Sequence, residues 1–254
     1  MSLRTFRILL LLCLLALVAG MTYWERLVVT QWTRPLEVVI YPINGDGSGK
    51  VQDYVRGLDE SRFREIRTFL EKQSARYAGK EMPVAAIQLG REIGEIPPTP
   101  PGGGRRAVES LLWSLKLRYF AFRHTPFFDS LGRIRLFVVY HEGEEGKPLQ
   151  HSLGLQKGLI GVVHAFALTK QDMQNNVVIT HELLHTLGAT DKYDAQGMPL
   201  YPEGFGEAGD GPHYPQHVAE IMAGRVALSP QKAEIPESLD ACVVGYKTAY
   251  EVNW

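Results

Sequence analysis

Two histidines that lie one helical turn apart constrain the fold of this chain more than any other feature. They belong to the segment His181-Glu182-Leu183-Leu184-His185, inside a run with apolar residues at helical spacing. Thr169 and Asp172 ahead of this run match a helix-capping box, and Gly188 after it suits a helix C-terminus. The pattern predicts a helix of about five turns that carries both imidazoles on one face.

Two imidazoles on one helical face can bind a single metal ion. At this spacing both can reach one tetrahedral Zn²⁺ at about 2.0–2.1 Å, and a third ligand would leave one position open for water. Glu182 points beside such an ion and is placed to take a proton from that water. Because Gly188 accepts a left-handed turn without steric cost, the chain can double back and present Asp191. The predicted zinc ligands are therefore His181, His185 and Asp191, with Glu182 as the general base.

The full pattern, His-Glu-x-x-His-x-x-Gly-x-x-Asp, resembles the signature of the metzincin clan of zinc peptidases. That signature has His or, in a few families, Asp at the third ligand position, and a methionine-containing turn further along the chain. The stretch is most similar to the snapalysin-like bacterial peptidases, which also have tyrosine two residues after the aspartate, as Tyr193 follows Asp191 here. The resemblance implies the same ligands and base, and it makes Met222 the methionine beneath the metal. It covers His181 to Tyr193 closely and Met222 loosely.

Several residues that follow Asp191 could serve as the third ligand in its place. Glu220 is the strongest of them, because a glutamate from a later segment completes the zinc site in the thermolysin-like architecture. In that architecture the glutamate lies on a following helix, and no helical pattern is present from Tyr201 to Tyr214. This favours Asp191 over Glu220. Asp194, His213 and His217 are the remaining candidates for the third position.

Two further side chains near the motif each have two interpretations. Tyr193 is a candidate catalytic residue, as a hydrogen-bond donor to the oxyanion that develops during peptide hydrolysis, and packing is the alternative. His164 lies in a strand before the predicted helix, and such a strand can line the cleft and pair with an extended substrate. For His164 the favoured interpretation is a half-buried histidine with an ordinary structural role, and a side chain that faces the cleft is the alternative.

The rest of the pattern predicts an α/β (α+β) domain, because strands alternate with helices and imply a mixed sheet. The resemblance implies a metzincin or zincin-like catalytic domain with a long active-site helix and a C-terminal helix. A long segment rich in glycine and proline, from Asp194 to His217, is expected to be a functional loop. The predicted strands are Leu36 to Ile43, Val84 to Leu89, Arg133 to Tyr140 and Leu159 to Leu168, and the remaining predicted helices run to Tyr77 from Asp59 or Ser61, from Arg105 to Phe122 and from Ser238 to Trp254.

The N-terminus indicates export. Arg4 and Arg7 precede an apolar run from Ile8 to Met21, which is typical of a signal oriented with its N-terminus in the cytoplasm. Residues 1–34 are predicted to be an uncleaved signal anchor or transmembrane segment with a juxtamembrane linker, and residues 35–254 a catalytic domain on the periplasmic or extracellular side. A signal that is cleaved to release a secreted protein is the alternative.

The composition argues against nucleic acid as a partner and against cysteine as a metal ligand. The net charge of −1 gives no global field that would attract nucleic acid, and the basic residues are scattered. There are two cysteines, of which Cys13 lies inside the apolar run and Cys242 stands near the other end. We expect no disulfide and no cysteine ligand, so histidine and carboxylate must hold any metal.

These observations together predict a zinc metalloendopeptidase, a membrane protein through its N-terminal helix, that hydrolyses peptide bonds of a peptide or protein substrate. A different possibility is a membrane-tethered, zinc-binding but non-hydrolytic module for assembly or sensing; Glu182 disfavours it, because binding alone does not need that residue. A metal-free envelope scaffold and a zinc amidase acting on cell-wall crosslinks are two further possibilities.

Overall fold

The computed structural model describes residues 2–79, 84–101, 107–125, 132–143, 153–155, 159–209 and 211–254. Within these ranges the chain forms six α-helices and nine strands. The helices are α1 (Leu3–Thr30), α2 (Gly49–Arg56), α3 (Arg64–Ala78), α4 (Ala107–His124), α5 (Asp172–Leu187) and α6 (Tyr246–Glu251). The strands are β1 (Leu36–Asn44), β2 (Ala85–Leu89), β3 (Arg133–His141), β4 (Leu153–Leu155), β5 (Ile160–Phe166), β6 (Ala219–Glu220), β7 (Val226–Ser229), β8 (Lys232–Glu234) and β9 (Cys242–Val243).

Five strands form one mixed sheet in the order β2-β1-β3-β5-β4. The pairs β1–β2, β1–β3 and β3–β5 are parallel, and β4 pairs antiparallel with β5, with Leu153 opposite Val162 and Leu155 opposite Ile160. The central strands β1, β3 and β5 are almost continuously apolar and buried, as parallel strands covered on both faces are. The predicted α/β class with a mixed sheet is therefore confirmed.

Alternating side chains of the central strands divide between two cores, as the period of two in a strand requires. In β3, Leu136 and Val138 belong to a large core shared with α2, α3 and α5, whereas Phe137 and Val139 belong to a smaller core against Leu117 of α4. Helices thus cover both faces of the sheet, and α5 lies on the face with the larger core.

The start of α5 differs from the prediction. Residues Thr169–Gln171 form a 3-10 turn and α5 begins at Asp172, without a side-chain hydrogen bond to cap it. The predicted capping box is wrong because the Asp172 carboxylate is used elsewhere. It accepts hydrogen bonds from Tyr54 Oη at 2.6 Å and from Arg62 Nη1 at 2.5 Å.

The C-terminal helix is shorter than the prediction from Ser238 to Trp254. A 3-10 turn at Leu239–Ala241 and strand β9 precede α6, which covers only Tyr246–Glu251. The reason is tertiary, because β9 pairs with β6 in parallel, with Val243 opposite Glu220. A strand pairing of this kind cannot be read from the apolar spacing of the segment itself.

The predicted N-terminal segment forms the long helix α1, and the residues after it contact the body of the protein. Trp32 Nε1 donates a hydrogen bond to the main-chain oxygen of Val252 at 2.8 Å, and its ring centre lies 5.6 Å from that of Trp254. Across the described ranges, no helix has both the length and the apolar character needed to cross a membrane. The membrane anchor stays a prediction.

Candidate metal centre

The end of helix α5 turns the chain back towards its own histidines. Gly188 has a φ of 111°, in the left-handed region that disfavours a side chain. Its amide donates to the His185 carbonyl at 3.1 Å, and the amide of Ala189 donates to the Leu184 carbonyl at 3.1 Å, which closes the helix. The turn then returns Asp191 to the face of α5 that carries both imidazoles, as the sequence predicted.

Three side-chain atoms converge at this face. Nε2 of His181 lies 3.0 Å from Nε2 of His185, and Oδ1 of Asp191 lies 3.2 Å from the first nitrogen and 3.0 Å from the second. The three atoms therefore form a nearly equilateral triangle. Each belongs to a residue type that donates a lone pair to cations, and three protein ligands of these types are the usual set of a catalytic zinc site.

Both imidazoles are held in one tautomer by the main chain. His181 Nδ1 lies 2.9 Å from the oxygen of Ile221, and His185 Nδ1 lies 2.8 Å from the oxygen of Ala189. A carbonyl oxygen can only accept, so each Nδ1 carries a proton, and in the neutral ring Nε2 keeps its lone pair. Outer hydrogen bonds of this kind orient histidines that bind metals.

Residues on both sides of Asp191 are tied to helix α6. Glu251 accepts hydrogen bonds from the amide and hydroxyl of Thr190, both at 2.9 Å, and from Lys192 Nζ at 2.8 Å. Lys192 is buried and also donates to the Thr190 oxygen at 2.6 Å. The segment that carries Asp191 is therefore clamped, and neither Thr190 nor Glu251 was singled out by the sequence.

A tight turn from Glu220 to Gly224 supports the other side of the centre. The amides of Ala223 and Gly224 both donate to the Glu220 carbonyl at 3.0 Å, and Gly224 has a φ of 66°. Met222 lies within this turn with its side chain fully buried. The turn is joined to helix α5 through the bond from His181 to Ile221, and to the segment that carries Asp191 through the Lys192 amide, which donates to the Met222 oxygen at 3.0 Å.

Glu220 builds this turn, and the structure does not place its carboxylate among the converging atoms. One carboxylate oxygen accepts from the Met222 and Ala223 amides at 2.6 and 3.1 Å. The other accepts from the Gly245 amide at 3.1 Å and from Thr248 Oγ1 at 2.7 Å. Because both oxygens are occupied by these donors, Glu220 is not placed to act as the third ligand.

Asp194, His213 and His217 each have partners away from the two imidazoles. Asp194 Oδ1 accepts from the amides of Gln196 and Met198, both at 2.9 Å. His213 stacks on Tyr201 with ring centres 4.0 Å apart, and His217 Nδ1 lies 3.2 Å from the carboxylate of Glu207. Among the five candidates for the third ligand, Asp191 is the one that contacts both imidazoles.

Glu182 is buried next to the triangle. Its carboxylate lies within 4.8 Å of a ring nitrogen of each histidine. Burial by itself lowers the pKa of His181, but the bond to Asp191 and the Glu182 charge outweigh it and raise that pKa. For Asp191 burial acts in the opposite direction and by itself raises the pKa. The hydrogen bonds to the two histidines outweigh burial and hold the pKa of Asp191 well below its ordinary range. The centre thus favours an ionised Asp191 carboxylate beside the two histidines.

Tyr193 lies at the edge of the centre and is partly exposed. Its ring is stacked against that of His181, with centres 6.4 Å apart. Burial, together with the charge of Asp191, raises the pKa of Tyr193 to about 12. The phenol therefore keeps its proton, and can donate it in a hydrogen bond, throughout the neutral pH range.

His164 is a buried histidine with a side-chain partner, which agrees with the structural role that the sequence favoured. Its Nδ1 lies 2.9 Å from Nε2 of His141, and burial lowers the pKa of His164 to about 4. Strand β5, which carries it, is flanked by β3 and, from Ile160 to Val162, by β4. Those three residues are therefore not a free edge to which a substrate strand can add.

Comparisons with known proteins add little. No family model matches the chain, and no curated protein matches it. Among solved structures it is similar to wild-type OgpA from Akkermansia muciniphila, at 15% sequence identity and a TM-score of 0.39. The alignment covers 85% of this chain and 58% of that chain. At this level the likeness supports no conclusion about fold or function.

Proposed function

We propose that this chain is a zinc-dependent metalloendopeptidase that acts outside the cytoplasm. The observation that carries the proposal is the triangle formed by Nε2 of His181, Nε2 of His185 and Oδ1 of Asp191, with sides of 3.0, 3.2 and 3.0 Å. The metzincin-like motif, with Asp as the third ligand, supports the same assignment.

The dimensions of the triangle suit zinc. For metal–ligand bonds of about 2.0–2.1 Å in tetrahedral geometry, neighbouring ligand atoms should lie about 3.3 Å apart. The observed separations are slightly shorter, between 3.0 and 3.2 Å. Because each Nδ1 proton is directed to a carbonyl, two neutral imidazoles would bring two unprotonated Nε2 atoms together, which only a shared cation or an added proton stabilises.

Zinc bound here would act as a Lewis acid that polarises the scissile carbonyl and lowers the pKa of water. Glu182 supplies a carboxylate within 4.8 Å of both histidines that is not one of the three converging ligands. It takes the proton of the attacking water and passes it to the leaving amine. Tyr193, whose phenol stays protonated, donates a hydrogen bond to the developing oxyanion.

The location of the reaction rests on the sequence. The basic flank at Arg4 and Arg7 and the apolar run to Met21 support export, with the catalytic domain held at the membrane or released. Peptide bonds in extended chains are the proposed substrate.

The test begins with metal content. The purified full chain should contain one zinc per molecule by elemental analysis, and Asp191→Ala should lose most of it. Asp194→Ala is the matched control, since Asp194 holds only a local turn, and it should keep its zinc. Zinc retained in full by Asp191→Ala would contradict the assigned ligand set.

The second step tests hydrolysis with casein and a peptide library. Glu182→Gln keeps the shape of the side chain and should keep its zinc, but we expect the rate to fall by at least about 10²-fold because the general base is lost. A variant that binds zinc and cleaves as fast as the parent would overturn the mechanism. Zinc binding by the parent without any cleavage would favour the non-hydrolytic module instead.

A further inference from the structure

A cavity of about 240 Å³ adjoins the candidate metal centre. His181, which supplies one of the three converging atoms, forms part of its wall, as does Tyr193. Most of the remaining wall is apolar or small. The residues that line it are Val177, Val178, His181, Tyr193, Gly197, Ala223, Gly224, Arg225 and Ile235.

Arg225 is the exception in this wall, because it is the only lining residue that carries a permanent positive charge. The side chain is partly buried and crosses towards Gly197. A methyl group placed on Gly197 would lie 3.8 Å from Arg225 Nε. Gly197 has a φ of 76°, so a residue without a side chain is favoured where the guanidinium passes.

Nearby carboxylates are committed to other partners. The main chain of Arg225 pairs with that of Glu220, but the Glu220 carboxylate accepts hydrogen bonds from the Met222 amide and from Thr248 Oγ1. Glu234, on the hairpin that leads to Ile235, pairs with Lys232 at 2.7 Å. Within the described ranges, no carboxylate forms an ion pair with Arg225.

We propose that this cavity accepts a substrate side chain that ends in a carboxylate, and that Arg225 is the residue that determines this specificity. The inference rests on the proposed peptidase function and names its substrate class: peptides with Glu or Asp next to the scissile bond. The apolar walls contact the methylene stem, and the planar guanidinium binds the carboxylate through two parallel hydrogen bonds.

Both the size and the polarity of the cavity support a single acidic side chain. Its volume, about 240 Å³, lies below the roughly 300–1,000 Å³ of pockets that hold whole drug-sized ligands. An apolar side chain would fill the space but would strip water from Arg225 without replacing its hydrogen bonds. A lysine side chain would be repelled. A free C-terminal carboxylate shares the required chemistry, and the experiment separates it from a side-chain carboxylate.

The first measurement is binding to the zinc-loaded full chain. Two peptide hydroxamates, identical except for Glu or Gln at the residue beside the chelating group, are each made with free and amidated C-termini and titrated calorimetrically. The amidated Glu probe should bind about tenfold more tightly than the amidated Gln probe, as expected for hydrogen bonds to a charged group. Arg225→Gln should remove the preference, and Arg67→Gln, a surface variant paired with Glu71, should retain it.

The outcomes are separable. Equal affinities for the Glu and Gln probes, or a preference that persists in Arg225→Gln, would overturn the inference. A preference that requires the free C-terminus would overturn it in favour of a terminal carboxylate. Cleavage of peptides without any preference for acidic residues would also overturn it and leave the peptidase proposal intact.

A second measurement does not depend on zinc or on turnover. The side-chain NMR signal of Arg225, assigned by its absence in Arg225→Gln, should shift with N-acetylglutamate methylamide and not with the glutamine analogue. If the protein lacks zinc and activity yet this shift occurs, the peptidase proposal fails while the acidic pocket stands. If neither compound shifts the signal, the pocket inference fails.

Discussion

Nδ1 of His181 lies 2.9 Å from the main-chain oxygen of Ile221, 40 residues further along the chain. This bond fixes the imidazole with its Nε2 towards Asp191, and it makes the turn from Glu220 to Gly224 part of the centre. The orientation of the His181 ring therefore depends on the turn that contains Ile221, and the sequence of helix α5 does not determine where that turn lies.

Glu220→Gln tests the supporting turn. The glutamine side chain has one acceptor oxygen where the glutamate side chain has two. Its buried NH₂ group would therefore face main-chain amide or hydroxyl donors that now bind the carboxylate. We expect the free energy of unfolding to fall by about 2–4 kcal/mol, measured with urea. At saturating zinc the variant should still bind one equivalent, because Glu220 is not a ligand. Loss of zinc in a variant that remains folded would contradict this role.

Gly188→Ala tests the reversal of the chain after α5. A side chain at a φ of 111° is strained, and we expect a loss of about 1–3 kcal/mol in unfolding free energy. Zinc affinity should also fall, because the turn that delivers Asp191 would shift. Gly79→Ala is the control, since Gly79 closes α3 with a φ of 68°. It should lose stability but keep its zinc affinity, and equal effects on zinc in both variants would refute the link.

Glu251→Gln tests the clamp on the Asp191 segment. The pair with Lys192 is almost buried, with side chains 6% and 14% exposed, so removing the charge leaves a buried ammonium without its counter-ion. We expect about 3–5 kcal/mol of lost stability and a drop in zinc affinity of about 10–100-fold. Glu234→Gln, in a pair exposed by 66% and 58%, should change stability by at most about 1 kcal/mol. Chelator competition and urea unfolding measure both quantities, and unchanged zinc affinity in Glu251→Gln would refute the clamp.

His164 predicts a pH dependence of stability. Burial and the neighbouring His141 lower its pKa from 6.5 to about 4 in the folded protein, while burial also lowers the pKa of His141 against the opposing charge of Asp46. The unfolded chain therefore takes up a proton first as the pH falls, so stability present above pH 6.5 is lost towards pH 4.

The measurement is urea unfolding of the metal-free protein at a series of pH values. His164 can contribute a slope of up to about 1.4 kcal/mol per pH unit in this range. His164→Gln should flatten the curve between pH 6.5 and 4, and an identical curve for the variant would show that other groups cause the loss.

Local sequence was sufficient for the features that depend on near neighbours. The spacing of His181 and His185 determines that both lie on one face of α5, and Gly188 allows the turn that follows, since both effects act within a few residues. The apolar runs of β1, β3 and β5 likewise indicated the mixed sheet, because strands buried on both faces must be continuously apolar. For the same reason Asp191, three residues beyond the glycine, could be proposed as a partner of both histidines.

Tertiary structure decided the features that join distant segments. Whether Glu220 points to the imidazoles or supports the turn depends on Gly245 and Thr248, which lie 25 and 28 residues away. The clamp from Glu251 to Thr190 spans 61 residues. Arg225 and His181 line the same cavity although they lie far apart in the sequence. The sequence alone determined that His181 and His185 share one face of one helix. The tertiary structure decided which residues hold the two histidines and Asp191 in place and which cavity adjoins them. The physical reason is that side-chain partners far apart in sequence are determined by burial and by the need of buried polar groups for hydrogen bonds.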